Sequence, residues 1–151
     1  MTALILIVAI IVLDLVFILV VSAGFPHVLA FLDFASMVAV PLAAWMCAAA
    51  GFGLKRSLAA WKAPLDPSAS EGSLRIAMAW SGSLAAWTLS FMSLAVCTGL
   101  VLTFSNLSVP EKVGPNIAVS ILSIGYAALV LLLLVLPFRT IAARRLAILE
   151  N

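Results

Sequence analysis

The polar side chains set into the greasy parts of this chain are the ones that could do chemistry. Ser90, Ser93, Cys97 and Thr98 fall in one apolar run, and Ser120 and Ser123 in the next. Ser83, Ala86, Ser90, Ser93 and Cys97 recur at alternating spacings of three and four, which places them along one stripe of a helix. Asn116, Ser120, Ser123 and Ala127 repeat the pattern. Such hydroxyls serve either the passage of an ion or the close approach of helices. In lipid, small residues let backbones come together, and interhelical hydrogen bonds average only about 0.6 kcal/mol. Both uses stay open at this level.

Asp14 is the other candidate, a lone acid within "AIIVLDLVFIL". An aspartate at the bilayer centre costs about 2.5–3.5 kcal/mol on insertion scales, so it is expected to face protein or water and to have a partner. A neutral carboxyl bonded to a neighbouring Ser or carbonyl and an ion-handling carboxylate both fit. His27, beside Pro26 in a connection, reads as a surface side chain.

The elements that must position these residues are membrane spans. Of 151 residues, 66% are hydrophobic and 9% charged, and the mean hydropathy is +1.30. A soluble domain carries roughly a quarter charged residues, so that class is excluded. Backbone groups in lipid must be satisfied within the segment, and long uninterrupted apolar runs suit helices rather than barrel strands. The expectation is an all-α integral membrane protein. It forms a single membrane domain over residues 1–151, with four transmembrane helices at about 3–22, 36–54, 74–104 and 116–138. The first run has no basic stretch before it and no small-residue cleavage site after it, and reads as a retained span.

Lys55, Arg56, Lys62 and Arg75 flank the connection between spans two and three, and Arg139, Arg144 and Arg145 follow span four. The remaining connections hold His27, Asp33, Glu111 and Lys112. The positive-inside rule then predicts a multi-pass protein with a cytoplasmic loop over 55–73 and both termini cytoplasmic. A net charge of +2 calls for no nucleic-acid partner.

Within the connections, Val28 to Leu32 form a short amphipathic stretch suited to the interface, and Asp33 or Ser36 suits the N-cap of span two. Pro41 is expected in the first turn or so of that span. The middle loop should contain two helical turns ending near Ala63, a Pro, Asp and Ser-rich break, and a cap at Ser70 or Ser73. Trp61 and Trp80 belong near the cytoplasmic boundary, with Trp45 and Trp87 deeper. Cys47 and Cys97 lie inside spans and act as small hydrophobes. With no phosphate-cradling glycine loop, no nucleophile and base pair and no metal-ligand cluster, the sequence reads as neither an enzyme nor a cofactor carrier.

The stretch "TGLVLTFSNLSVPEKVGPNIAVSILSIGYAALVLLLLVLPFRTIAARRL" resembles the last two spans of the MotA/TolQ/ExbB proton-channel family. The match rests on Gly99, Asn106, Leu107, Pro110, Gly114, Pro115, Ala118, Val119, Tyr126 and Pro137. Upstream, "FLDFASMVAVPLAAWMCAA" looks like the beginning of the family's second span. The chain departs from the family in lacking the large cytoplasmic domain between spans two and three. The family's span-three proline falls on Leu89, its ion-path threonine on Val96, and its span-four threonine pair on Ser123 and Ile124.

The resemblance implies a homo-pentameric ring with spans three and four lining the axis. Two single-span partners of the MotB, ExbD or TolR type would fill that axis and supply the ion-binding aspartate. Ser90, Ser93, Cys97, Thr98, Ser120 and Ser123 would then line the path of H⁺, with Na⁺ as second choice. Two other readings compete. One is a non-conducting membrane scaffold that binds a partner helix, and the other is a small independent proton-coupled transporter using Asp14.

Overall fold

The structure is a computed structural model, and it describes residues 34–149. The predicted first span with Asp14, His27 and the 28–32 stretch lies outside the described residues. The order is α1 (Phe34–Phe52), α2 (Leu54–Lys62), a 3₁₀ turn (Ala63–Leu65), α3 (Glu71–Ser105), α4 (Pro110–Val130), a π turn (Leu131–Val135) and α5 (Leu136–Leu149). No strand occurs among the described residues, in line with the all-α expectation. Glu71–Ser105 and Pro110–Leu149 are each long and apolar enough to cross a membrane. Met37–Phe52 with Leu54–Leu65 would add a third, bent by 109° at its break.

Local chemistry sets the ends of these helices. Gly53 sits at φ +84°, a left-handed conformation that costs glycine no steric clash, and it separates α1 from α2. Span two was predicted to run to Leu54, but α1 stops at Phe52 because of this turn. Pro64, Asp66 and Pro67 break the chain after the 3₁₀ turn. Ser70 then caps α3, its Oγ accepting the amide of Ser73 at 3.3 Å. Glu71 in the first turn pairs with Arg75 at 2.7 Å.

At the other end of α3, the Asn106 side-chain amide donates to the Leu102 carbonyl at 2.7 Å, closing the helix. Pro110 opens α4 at a position where its missing amide hydrogen would have had no helical partner. Pro115 lies inside α4, within the turns nearest the hairpin. The fourth span, predicted to end at 138, continues through the π turn into α5 and reaches Leu149. Arg139, Arg144 and Arg145 are thus helical.

Packing centres on α3, which touches every other element. Ala44 and Ala48 of α1, Ala60 and Ala63 of the α2 segment, Ala77, Trp80 and Leu84 of α3, and Val130 and Val135 form the main core. Alanines at these positions let the helix axes approach closely, which is how helices pack where no hydrophobic force drives them together. A second cluster, Leu74 with Ala142 and Leu146, joins the start of α3 to α5.

Candidate functional site

The α3–α4 hairpin holds most of the residues singled out above. Its tightest point is Gly99 against Ser120. A Cβ placed on Gly99 would collide with the Ser120 Oγ and lie 3.1 Å from the Asn116 carbonyl oxygen, so any larger residue forces a shift. Ser120 is buried, donates to the Asn116 carbonyl at 3.2 Å, and lies 3.5 Å from the Val96 carbonyl of α3. Ser123, one turn further along, is fully buried and donates to the Val119 carbonyl at 2.8 Å. The small seam of α4 therefore faces α3 of the same chain.

The seam of α3 faces the other way. Its buried positions, Leu74, Ala77, Trp80, Ser81, Leu84, Thr88, Gly99 and Thr103, lie on the side of the helix opposite Ser90, Ser93 and Cys97. Those three residues are exposed. Ser90 donates to the Ala86 carbonyl and Ser93 to the Leu89 carbonyl, each at 2.9 Å. A hydroxyl bonded in this way has placed its one proton on its own helix and presents only acceptor lone pairs outward.

Thr98 belongs with neither seam. It donates to the Leu94 carbonyl at 2.9 Å and borders a groove of about 440 Å³. The groove runs between Ala39 and Ala43 of α1, Thr98 and Gly99 of α3, and Asn116 and Ser123 of α4. The structure thus gathers Thr98, Gly99, Asn116, Ser120 and Ser123 in one region and leaves Ser90, Ser93 and Cys97 on the far face of α3. Both cysteines, Cys47 and Cys97, are free thiols.

The hairpin residues close the turn rather than line the groove. The Asn106 amide donates to the Thr103 carbonyl at 3.1 Å, Val109 to Asn106 at 2.9 Å and Lys112 to Val109 at 3.0 Å. Pro110 and Pro115 are exposed, and a Cβ on Gly114 would meet nothing within 4 Å. Tyr126 and Pro137 are buried on the inner side of α4 and at the start of α5. Leu89 and Ile124 point outward, and Val96 is half-buried.

Sequence reasoning missed Thr88 and Thr103. Both are buried on the packing face of α3, donating at 2.8 Å to the carbonyls of Leu84 and Gly99. A signal was present, because Thr88 precedes Ser90 by two residues and a helix turns about 100° per residue. It also missed Arg145, whose guanidinium donates to the carbonyls of Ala63 at 3.1 Å, Pro64 at 3.3 Å and Pro67 at 3.0 Å, and to that of Asp66. A contact to residues about eighty positions away leaves no local trace.

No acid, base or metal-ligand cluster lies within the groove among the described residues, and 76–110 and 113–138 contain no charged side chain or histidine. What this region offers an ion is oxygen atoms: hydroxyls, the Asn116 amide and main-chain carbonyls. No protein-family model matches the chain, and no curated protein or solved structure matches it.

Proposed function

We propose that the chain is a MotA/TolQ/ExbB-like inner-membrane subunit of an ion-driven motor, with H⁺ as the ion. In this reading it forms a pentameric ring around two single-span partner helices that carry the ion-binding aspartate. The observation that supports it is the outward seam of Ser83, Ala86, Ser90, Ser93 and Cys97 on an unbroken 35-residue helix. Small residues on a spanning helix, turned away from the chain's own core, leave room for the close approach of a further helix. The stretches 76–110 and 113–138 hold no charged side chain, so in this reading the ion carrier is the partner's aspartate.

The non-conducting scaffold is favoured by one specific observation. Ser90 and Ser93 donate to their own helix, and Leu89, Val96 and Ile124 stand where the family has its proline and threonines. The Asp14 transporter remains the third reading.

Native mass spectrometry of the tagged chain, extracted from its own membrane with whatever co-purifies, tests all three. A pentamer with two copies of a small single-span protein supports the motor subunit, and Asp→Asn in that partner should then abolish ion flux. A pentamer alone, with activity that survives collapse of the proton gradient, supports the scaffold. A monomer or dimer overturns the ring, and loss of transport in Asp14→Asn would point to the independent transporter.

A further inference from the structure

The segment that is neither a spanning helix nor a loop is α2. The 109° bend at Gly53 turns it nearly at right angles to α1. Ser57 and Ala60 are its buried positions. Trp61 fixes it sideways, with ring centroids 5.2 Å from Trp80 of α3 and 4.7 Å from Phe138 of α5, both edge-on. The helix is therefore clamped in this orientation.

Its level along the bundle is set by the same contacts. On α3 the charge-free stretch begins at Ile76, just after Arg75, and on α5 the charges resume at Arg139, just after Phe138. Ala60, Ala77 and Trp80 share one core cluster with Val135. Hence α2 lies across the end of the bundle, at the depth where both long helices change from apolar to charged. Trp80 is buried in that cluster and Trp61 is half-buried against it, so the pair holds α2 at this level from within the bundle.

The outer surface of α2 has two chemistries side by side. Leu54 and Leu58, four residues apart and so on one stripe, are 59% and 50% exposed, and Leu65 of the 3₁₀ turn that follows is 42% exposed. Lys55 and Lys62, seven residues apart and both exposed, border that stripe along one side, with Arg56 exposed beyond them. Exposed Arg139 and Arg144 add to the positive charge of this end of the molecule. An apolar stripe bordered by lysines is how an in-plane helix meets a lipid surface.

We propose that α2 is an in-plane anchor for anionic phospholipid, with Leu54 and Leu58, and Leu65 of the turn that follows, in the acyl boundary and Lys55 and Lys62 on headgroup phosphates. The inference rests on reading α3 and α4–α5 as membrane-spanning. The test titrates the detergent-solubilised full-length chain with phosphatidylglycerol or phosphatidylcholine of matched acyl chains, and follows bound lipid by native mass spectrometry and the thermal midpoint. Phosphatidylglycerol should bind and raise the midpoint where phosphatidylcholine and inorganic phosphate do not. Lys55→Gln with Lys62→Gln should weaken its binding about 30-fold, from about 1 kcal/mol per lysine near an anionic surface. Lys112→Gln, at the opposite end of the bundle, should leave it unchanged.

Equal response to the two lipids, or an unaltered response in the double variant, overturns the assignment of α2. Release of the chain from membranes by alkaline carbonate overturns the membrane-spanning reading and the anchor with it.

Discussion

The two hydroxyl seams read alike in sequence and differ in the folded chain. Asn116, Ser120, Ser123 and Ala127 of α4 turn inward, where Ser120 meets Gly99 at a point too narrow for a Cβ. Ser90, Ser93 and Cys97 of α3 turn outward, away from every packed residue of their own helix. One seam joins the hairpin, and the other is left for whatever approaches from outside. A periodic stripe of small residues therefore states that a helix has a neighbour, but not whether the neighbour belongs to the same chain.

The largest effect should come from filling the narrow point. Gly99→Leu should separate α3 from α4 and cost about 3 kcal/mol, the upper part of the usual overpacking range. Gly99→Ala should cost less, and Ser120→Ala should recover part of that loss, because it removes the Oγ that the new Cβ would strike. Recovery stays incomplete, since the Asn116 carbonyl at 3.1 Å is backbone and cannot rotate away. A double-mutant cycle on the thermal midpoint reads the coupling. Additive losses would mean that the two residues do not share the contact.

A matched pair of substitutions then sets one seam against the other. Ser123→Leu puts a large side chain where there is no exposed surface and should destabilise the chain by about 2 kcal/mol. Ser93→Leu should leave the chain's own stability within about 0.5 kcal/mol, because the position is exposed. Native mass spectrometry should nevertheless show Ser93→Leu with fewer copies per particle. If both variants unfold alike, or Ser93→Leu assembles normally, the distinction between inner and outer seam fails.

The fold was legible wherever composition decides it. Charge-free runs and the proline-rich break announce α3 and α4, and the cap is Ser70, one of the two serines that the sequence offers. Hidden from sequence were the facts that depend on which side of a helix meets which neighbour. Ser90 and Thr88 are two residues apart and lie on different faces, one outward and one buried. The 109° turn was hidden for another reason: Gly51 and Gly53 both look like helix ends, and only Gly53 takes the left-handed conformation. Arg145 illustrates the third case, a long side chain that bonds to the carbonyls of a proline-containing turn about eighty positions away in sequence.

That arginine allows a smaller perturbation, away from both seams. Arg145→Ala removes the donors for the 63–67 segment and should cost about 1.5 kcal/mol, at the low end for charged hydrogen bonds because the group is half exposed. Arg145→Lys should restore little, since an ammonium lacks the planar fork that reaches several carbonyls together. Amide exchange should quicken over 63–69 and stay slow around Gly99 and Ser120. Quickening at both places would show that the hairpin contact depends on the loop.

The smallest effect is the response to acid, and it separates the regions by chemistry alone. Asp66 is held below the ordinary carboxylate range by the Ser68 hydroxyl, which donates to its Oδ1 at 2.7 Å, and by the Ser68 amide at 2.9 Å. Burial opposes this slightly, and the Arg145 charge adds to it. A carboxyl depressed in the folded state contributes stability that is present above its unfolded value and lost as pH falls through the folded one. The 66–69 turn should therefore hold from neutrality down to about pH 4 and loosen only below it. Asp66→Asn should remove that dependence. Nothing ionisable stands at the contact between Gly99 and Ser120, so exchange there, corrected for its intrinsic pH dependence, should not change across the same titration. If the two regions loosen together, turn and hairpin form one cooperative unit, and the inner seam depends on the membrane-edge loop as well as on its own close fit.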